Sequence, residues 1–313
     1  MRVAVIDLGT NTCNLLIAEM NPPGFKILYQ SKQLVKLGDD KIRENEISRA
    51  ATSRVLESFQ THQRIISDYH AEKVRVVATS AVRTAENKIE FLEQISENSG
   101  WLVRLISGEK EAEMIFEGVL LAFNEFKNPA LILDIGGGSN ELIIAHNKIM
   151  LWKESQPTGM ARVINKFKIS DPIQTEEKDH LKNYFAEAHK DAFEKCKTEN
   201  VETLVGCSGA FDTIADIIDS VNPGEKPRTT QKILISEFYT VYQNLIKSTR
   251  DERLLMKGMD YVRVDLIVPA VIFIEHLISE IGISQIIQTD FALREGVLYE
   301  MMNHSKISSE QKV

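Results

Sequence analysis

The stretch AVIDLGTNTCNLLIA, residues 4–18, decides the fold. An apolar run ends in the polar turn DLGTN at 7–11, and residues 15–18 are apolar again, which predicts a strand, a turn and a second strand. Such a turn exposes several backbone N–H groups, and its glycine lacks the Cβ atom that would block a close ligand. The turn therefore predicts a phosphate-binding loop.

The same pattern restarts in ILDIGGGSNELII, residues 132–144. Asp134 ends an apolar run as Asp7 does, and a glycine turn at 136–139 follows it. One glycine turn is as readily a structural hairpin, but two at the start of matching segments favour a shared ligand cleft between similar α/β halves. We expect an N-terminal domain over 1–120, a second over 121–296, and a C-terminal helix over about 297–313 that packs back on the first.

Hydrophobic patterning predicts further elements in the order strand, phosphate-type turn, strand, strand, helix in each half. The predicted strands cover residues 25–35, 74–78, 103–106, 141–145, 149–154, 204–206 and 284–288, and the main predicted helices cover 47–69 and 108–123, with another after 87.

Composition narrows the class of protein. The 313 residues are 43% apolar and 26% charged, and no run approaches the roughly 20 apolar residues of a membrane span. We see no signal peptide and expect a cytoplasmic protein without membrane contact. The three scattered cysteines predict buried thiols, not a metal or disulfide framework. A net charge of −8 argues against nucleic-acid binding and requires local donors for an anionic substrate.

Six segments in order carry a family resemblance: 4–18, VATSAVRTAEN at 77–87, ISGEKEA at 106–112, 132–144, GCSGAFDTIA at 206–215 and FALREGVL at 291–298. Together they resemble the exopolyphosphatase/guanosine pentaphosphate phosphatase (Ppx/GppA) family, in its short two-domain form. The resemblance implies the duplicated α/β, ribonuclease H-like fold of the actin-like ATPases, with an interdomain cleft.

The resemblance also implies a divalent metal, Mg²⁺ for preference, and no organic cofactor. Its ligands are predicted to be Asp7, Asp134 and Glu141. One or two carboxylates with substrate phosphates and water suit Mg²⁺. Each Asp has the alternative of capping its own turn, and Glu141 that of a solvated strand residue.

Glu111 is the predicted general base. Spacing alone does not select it, because acidic residues favour a first helical turn and Glu109 and Glu113 lie nearby. The resemblance selects it, as the Glu before Ala112 in the ISGxxEA motif. Its implied role is to orient the attacking water.

Backbone donors, hydroxyls and one guanidinium are predicted to hold the phosphates. They are Gly9, Thr10, Asn11, Thr79, Ser80, Arg83, Gly136, Gly137, Gly138, Ser139, Gly206, Ser208 and Gly209. Arg83 suits bidentate phosphate contacts, but Ser80 can equally cap a helix and Arg83 can be solvated. Arg294 more simply anchors the last helix or a dimer contact.

Other cations and turns are weaker candidates. Lys32, Lys36, Lys41 and Arg43 can line the cleft mouth or form a solvated edge, and a turn at 159–162 can add a phosphate contact. Glu113, Asn140 and Cys207 depart from the family pattern, with effects that the sequence does not settle.

The first functional hypothesis is exopolyphosphatase, with water as nucleophile and a homodimer as the expected assembly. The alternative is a guanosine pentaphosphate 5′-phosphohydrolase. Two other classes are an actin-fold kinase, which the altered turn at 206–210 disfavours, and a non-catalytic alarmone sensor, which an intact Glu111 disfavours.

Overall fold

The computed structural model describes residues 1–21, 24–38, 45–123 and 125–310, with side chains through residue 303. The chain forms two compact units. Unit 1 contains Met1–Gly118 together with the residues from Leu293 onward, and unit 2 contains Val119–Ala292.

The sheet of unit 1 has five strands. They are β1 (Arg2–Leu8), β2 (Thr12–Asn21), β3 (Gly24–Leu34), β4 (Lys73–Ala78) and β5 (Val103–Leu105). Their order is β3-β2-β1-β4-β5, with an antiparallel meander from β1 to β3 and parallel pairing of β1 with β4 and of β4 with β5. The carboxyl ends of β1, β4 and β5 therefore meet at one edge, because Leu8 pairs with Ala78 and Ala78 with Leu105.

Within the described residues, unit 1 also contains five helices. They are α1 (Arg49–Asp68), α2 (Ser80–Thr84), α3 (Lys88–Ser99), α4 (Gly108–Ala122), which runs past the unit boundary, and α12 (Leu293–Glu310). Helix α1 begins where the Ser48 side chain accepts from the Ala51 N–H, as an N-cap residue does. Its buried face, with Val55 and Phe59, packs on the β1–β2 core. Helix α3 ends at Gly100, whose left-handed conformation suits glycine.

The sheet of unit 2 has six strands. They are β6 (Phe126–Ile135), β7 (Asn140–Asn147), β8 (Ile149–Gln156), β9 (Thr203–Cys207), β10 (Gln231–Ile233) and β11 (Gln285–Thr289). The order β10-β11-β9-β6-β7-β8 repeats the meander of unit 1 at β6–β8 and its parallel neighbours at β9 and β11. Asp134 pairs with Cys207, and Cys207 with Thr289, which places three carboxyl ends at one edge.

The described residues of unit 2 also form seven helices. They are α5 (Met160–Lys166), α6 (Thr175–Ala188), α7 (Lys190–Thr198), α8 (Gly209–Asp219), α9 (Ile235–Lys247), α10 (Arg250–Leu255) and α11 (Ile267–Ile281). Helix α11 is buried over most of its length, including Phe273. An almost wholly apolar helix of this kind belongs inside the domain.

Helix α12 returns to unit 1 after unit 2 is complete. A Cβ on Gly296 would lie 1.8 Å from the carbonyl oxygen of Met114, so only glycine lets α12 approach the α4 backbone this closely. No helix in the described part of the chain is long and apolar enough to cross a membrane. The prediction of buried cysteines is confirmed at Cys13, Cys196 and Cys207.

Candidate functional site

Backbone hydrogen bonds fix the first loop, residues 9–11. The Gly9 N–H donates to the Thr12 carbonyl at 2.9 Å, which closes the turn. The Thr10 carbonyl accepts from Gly38, and the Asn11 carbonyl accepts from Val35 and Lys36, at 2.9–3.1 Å. Lys36 thus contributes its backbone here.

The second loop, residues 136–139, is built in the same way. The Gly136 N–H donates to the Ser139 carbonyl at 3.0 Å. The Gly136 and Gly137 carbonyls accept at 2.9 Å from the N–H groups of Met160 and Ala161, at the start of α5. The backbone N–H groups of α5 are therefore used to support the loop, which leaves the predicted turn at 159–162 a supporting role.

Both loops leave several backbone N–H groups without a backbone acceptor among the residues that the structure describes. Within the described ranges, no backbone carbonyl accepts from the N–H groups of Thr10, Asn11, Gly137, Gly138 or Ser139. Free backbone N–H groups in a glycine-rich turn can bind an anion without a side-chain cation. This property suits a protein with a net charge of −8.

Asp7 lies at the carboxyl end of β1, opposite Asn14. Its Oδ2 accepts from Asn14 Nδ2 at 3.0 Å, whereas its Oδ1 is buried and has no hydrogen-bond partner in the described part of the protein. The Thr10 hydroxyl oxygen is likewise buried and has no hydrogen-bond partner among the described residues. Burial raises the pKa of Asp7, against the Asn14 hydrogen bond and the positive charge of Arg294, which lower it. Sequence reasoning missed both Asn14 and this electrostatic contribution of Arg294.

Arg83 and Glu111 form the centre of the unit 1 edge. Arg83 Nη1 donates to Glu111 Oε2 at 2.9 Å and to the Ile106 carbonyl at 3.1 Å. Glu111 is only 7% exposed and lies in the first turn of α4. The solvated alternative for Arg83 is wrong, because this contact orients the guanidinium. The structure thus brings the TSAVR and ISGxxEA motifs together.

Thr79 and Ser80 follow β4 at the same edge and are both buried. Thr79, not Ser80, occupies the N-cap position of α2, and its side chain makes no capping hydrogen bond. The helix-cap alternative for Ser80 is therefore wrong. Both hydroxyls lie where β1 and β4 end, next to the first loop through the Thr79 N–H that donates to the Leu8 carbonyl.

Asp134 and Glu141 form a cross-strand pair at the carboxyl end of β6. Glu141 is 2% exposed, and its Oε1 accepts from the Ser155 hydroxyl at 2.7 Å, so the solvated alternative for Glu141 is wrong. Among the described residues no group of three or more His, Cys, Asp or Glu side chains can hold a metal by itself. Two carboxylates on one edge nevertheless fit Mg²⁺, which keeps substrate oxygens and water in its remaining positions.

In the third turn, at 206–209, the residues predicted to bind phosphate make contacts within the protein. The Ser208 hydroxyl accepts from the Ile135 N–H and donates to the Ile135 carbonyl, both at 3.2 Å. The Phe211 ring covers Gly206. Gly209 leaves room for the Arg263 guanidinium, whose Nε is buried without a partner among the described residues. Arg263 carried no signal in the sequence.

The other basic residues singled out in the sequence are Arg294, Lys32, Lys41 and Arg43. Arg294 lies 3.7 Å from Glu295 in the first turn of α12. Lys32 lies on β3, opposite Asn14. Lys41 and Arg43 are outside the described residues.

Comparison with known proteins identifies the family. A model of the Ppx/GppA phosphatase family matches residues 16–305. The chain belongs to the Ppx/GppA phosphatase family. It is therefore a hydrolase, with the actin-like ATPase fold of that family.

Individual relatives agree with this assignment. A putative exopolyphosphatase from Haemophilus influenzae is 26% identical over 98% of this chain and 93% of its own length. A crystal structure of an exopolyphosphatase from Cytophaga hutchinsonii is 34% identical with a TM-score of 0.91, covering 97% of this chain and 98% of that one. A bifunctional 3-dehydroquinate synthase/phosphatase from Fusobacterium nucleatum is 29% identical over 89% of this chain, which spans only 43% of that longer relative.

Proposed function

We propose that this family member is an exopolyphosphatase that releases the terminal phosphate of inorganic polyphosphate. The observation that carries the proposal is the buried Glu111 carboxylate, fixed by Arg83 at 2.9 Å at the sheet edge where β1, β4 and β5 end and the first loop begins. The Cytophaga hutchinsonii and Haemophilus influenzae relatives, named as an exopolyphosphatase and a putative one, support the choice of substrate.

The reaction assigns each group a task. Water attacks the terminal phosphorus and gives a proton to the Glu111 carboxylate, while the bridging P–O bond breaks and releases orthophosphate and a shortened chain. Arg83 orients Glu111 and offers guanidinium donors to phosphate oxygens. In unit 1 the first loop, with Thr79 and Ser80, holds phosphate groups, and in unit 2 the second loop binds phosphate through its own backbone N–H groups. Ser208 acts through Ile135, since its hydroxyl is engaged there.

A divalent metal, Mg²⁺ for preference, would be held in unit 2 by Asp134 and Glu141, and the Asp7 carboxylate of unit 1 is a separate candidate ligand. When bound, it would neutralise negative charge on the phosphate oxygens. The unpartnered Oδ1 of Asp7 and the cross-strand carboxylate pair support this assignment. Ser155 fixes the Glu141 carboxylate through its hydroxyl. The proposal needs no organic cofactor, and it places the enzyme in the cytoplasm as a homodimer.

The test compares E111Q with E109Q. Glutamine at 111 keeps an acceptor for Arg83 but cannot take a proton, so we expect phosphate release from polyphosphate with Mg²⁺ to fall by about 10²- to 10⁴-fold. E109Q changes an exposed carboxylate in the same helical turn and should retain full turnover. Unchanged turnover in E111Q would refute the assignment of the base.

Guanosine pentaphosphate is the second candidate substrate, because it presents the same terminal phosphoanhydride and because the resemblance to the exopolyphosphatase/guanosine pentaphosphate phosphatase family implies both activities. Phosphate release measured side by side on long polyphosphate, short polyphosphate and guanosine pentaphosphate ranks the two. A higher kcat/KM for guanosine pentaphosphate would replace the first choice.

A further inference from the structure

Four polar side chains form a buried chain behind the second loop. Glu154 Oε1 lies 2.5 Å from His189 Nδ1, and His189 Nε2 lies 2.8 Å from the Thr158 hydroxyl. Asn140 Nδ2 lies 2.9 Å from the Thr158 carbonyl and 3.0 Å from its hydroxyl. His189 also stacks on Phe273, with ring centroids 4.9 Å apart.

The hydrogen-bond partners determine which group donates and which accepts at each contact between these side chains. The Asn140 amide donates both its bonds to Thr158, so the Thr158 hydroxyl oxygen accepts and its proton is directed to His189 Nε2. His189 then carries its own proton on Nδ1 and donates it to Glu154. This tautomer follows from the network, since each donor then faces an acceptor.

The order carboxylate, imidazole, hydroxyl is also that of a catalytic triad. Here it is sealed from substrate. His189 and Asn140 are 0% exposed and Thr158 is 3% exposed. The Asn140 amide also occupies the hydroxyl oxygen that would otherwise attack. These four side chains can therefore influence the site only by fixing the position of the loop backbone.

The glycine loop is connected to these four side chains in two places. Asn140 directly follows Ser139, and Thr158 directly precedes Gly159. Gly159 packs so closely that a Cβ on it would lie 2.5 Å from the backbone of Gly137 and Gly138. The next N–H groups, of Met160 and Ala161, bind the loop carbonyls. A shift of Thr158 must therefore move the loop.

We propose that His189 is a positioning residue for the loop 136–139, acting through Thr158 and Asn140. The inference rests on the proposed function only for the identity of the phosphate substrate. It assigns a role to Asn140, the departure from the family pattern in this loop, because the amide of that residue links the loop to Thr158.

The two amide replacements of His189 separate positioning from packing. Glutamine places a polar atom near the position of Nε2 and keeps the bond to Thr158, whereas asparagine mimics Nδ1 and keeps only the bond to Glu154. Each variant loses the stacked ring and one hydrogen bond, so both Tm values should fall. The Tm of H189Q, which removes the imidazole partner of the Glu154 carboxylate, should fall at least as far as that of H189N. We expect KM for polyphosphate to rise about tenfold in H189N and to stay within about twofold in H189Q, with kcat less affected in both.

A second measurement does not depend on turnover. Amide hydrogen exchange at Gly136, Met160 and Ala161 reports the bonds that clamp the loop. We expect these amides to exchange about tenfold faster in H189N than in H189Q. If the wild-type protein fails to hydrolyse polyphosphate, the proposed function fails, and this contrast still tests the positioning role.

T158V supplies a second variant in case H189N does not fold, since it removes only the hydroxyl at nearly constant volume. T158V should raise KM for polyphosphate and speed hydrogen exchange at the same three amides. Equal KM values and equal exchange in H189N and H189Q, whatever their Tm values, would overturn the proposal and leave His189 as a core residue.

Discussion

The Arg83 guanidinium binds Glu111 at 2.9 Å and the Ile106 carbonyl at 3.1 Å. It thereby joins the segment that follows β4 to the segment that follows β5. A guanidinium fixed by two acceptors loses little further entropy when a phosphate oxygen arrives. Orientation of Glu111 and recognition of phosphate are thus coupled in one side chain.

R83K tests this coupling. Lysine keeps the positive charge but lacks the planar fork, so it cannot hold Glu111 and the Ile106 carbonyl in the same geometry. We expect kcat/KM for polyphosphate to fall about 10- to 100-fold, with kcat contributing because Glu111 loses its orientation. Steady-state kinetics with R75K, on the neighbouring strand β4, as a control measures it. A loss confined to KM would show that Arg83 binds phosphate without orienting the base.

G159A tests the support of the second loop. The added methyl meets the backbone of Gly137 and Gly138 at 2.5 Å, and a backbone neighbour cannot yield cheaply. We expect a loss of about 1–3 kcal/mol in the free energy of unfolding and a rise in KM. Gly24 is the matched control, because a Cβ there meets nothing within 4 Å. Denaturant unfolding of G24A and G159A should separate them; equal midpoints would contradict close packing at Gly159.

D7N tests the charge on the first loop. Burial raises the pKa of Asp7 above its unfolded value, so the folded state favours the protonated form. The stability from this preference is present below the unfolded pKa and is lost as pH rises through the folded pKa. Asparagine keeps an acceptor for Asn14 without the buried charge.

We therefore expect D7N to melt at a higher temperature than wild type at pH 7, with the difference shrinking as the pH falls toward about 4. Turnover of D7N should also be lower than that of wild type at pH 7, because only an ionised carboxylate can hold a cation. Thermal melts across pH 4–8 provide the measurement. A lower Tm for D7N at pH 7 would mean that the ionised Asp7 stabilises the fold.

Much of the fold was predictable because its signals are local. The prediction of strands on both sides of Asp7 and Asp134 is confirmed, and so is the helix around Val55 and Phe59. The short strand β10 was not predicted, since only one of its three residues, Ile233, is apolar. The pairing of β9 with β6 joins residues some 70 positions apart, and only the sheet reveals it.

The site was less accessible to sequence reasoning. Arg83 and Glu111 were both selected, but their contact spans 28 positions and required the fold. Asn14, Ser155 and Arg263 had no signal, because an ordinary polar residue gains its role only from its neighbours in space. Ser208 was predicted to bind phosphate from its glycine-rich context, whereas its hydroxyl binds the backbone of Ile135.

G296A should destabilise unit 1 more than any surface change. The added methyl would lie 1.8 Å from the Met114 carbonyl oxygen, so α12 must move away from α4 or the unit must unfold. We expect a loss of at least about 3 kcal/mol in the free energy of unfolding. Calorimetry measures it, with G24A again as the control. Wild-type stability in G296A would contradict the close approach of α12.

The return of α12 to unit 1 also sets an order of events during synthesis. Unit 2 is one continuous segment and has all its residues once Ala292 leaves the ribosome. Unit 1 begins the chain but lacks its last helix until residues beyond Leu293 emerge. The half translated first is thus the half completed last, and a ribosome that stalls before Leu293 would leave α4 uncovered at Met114.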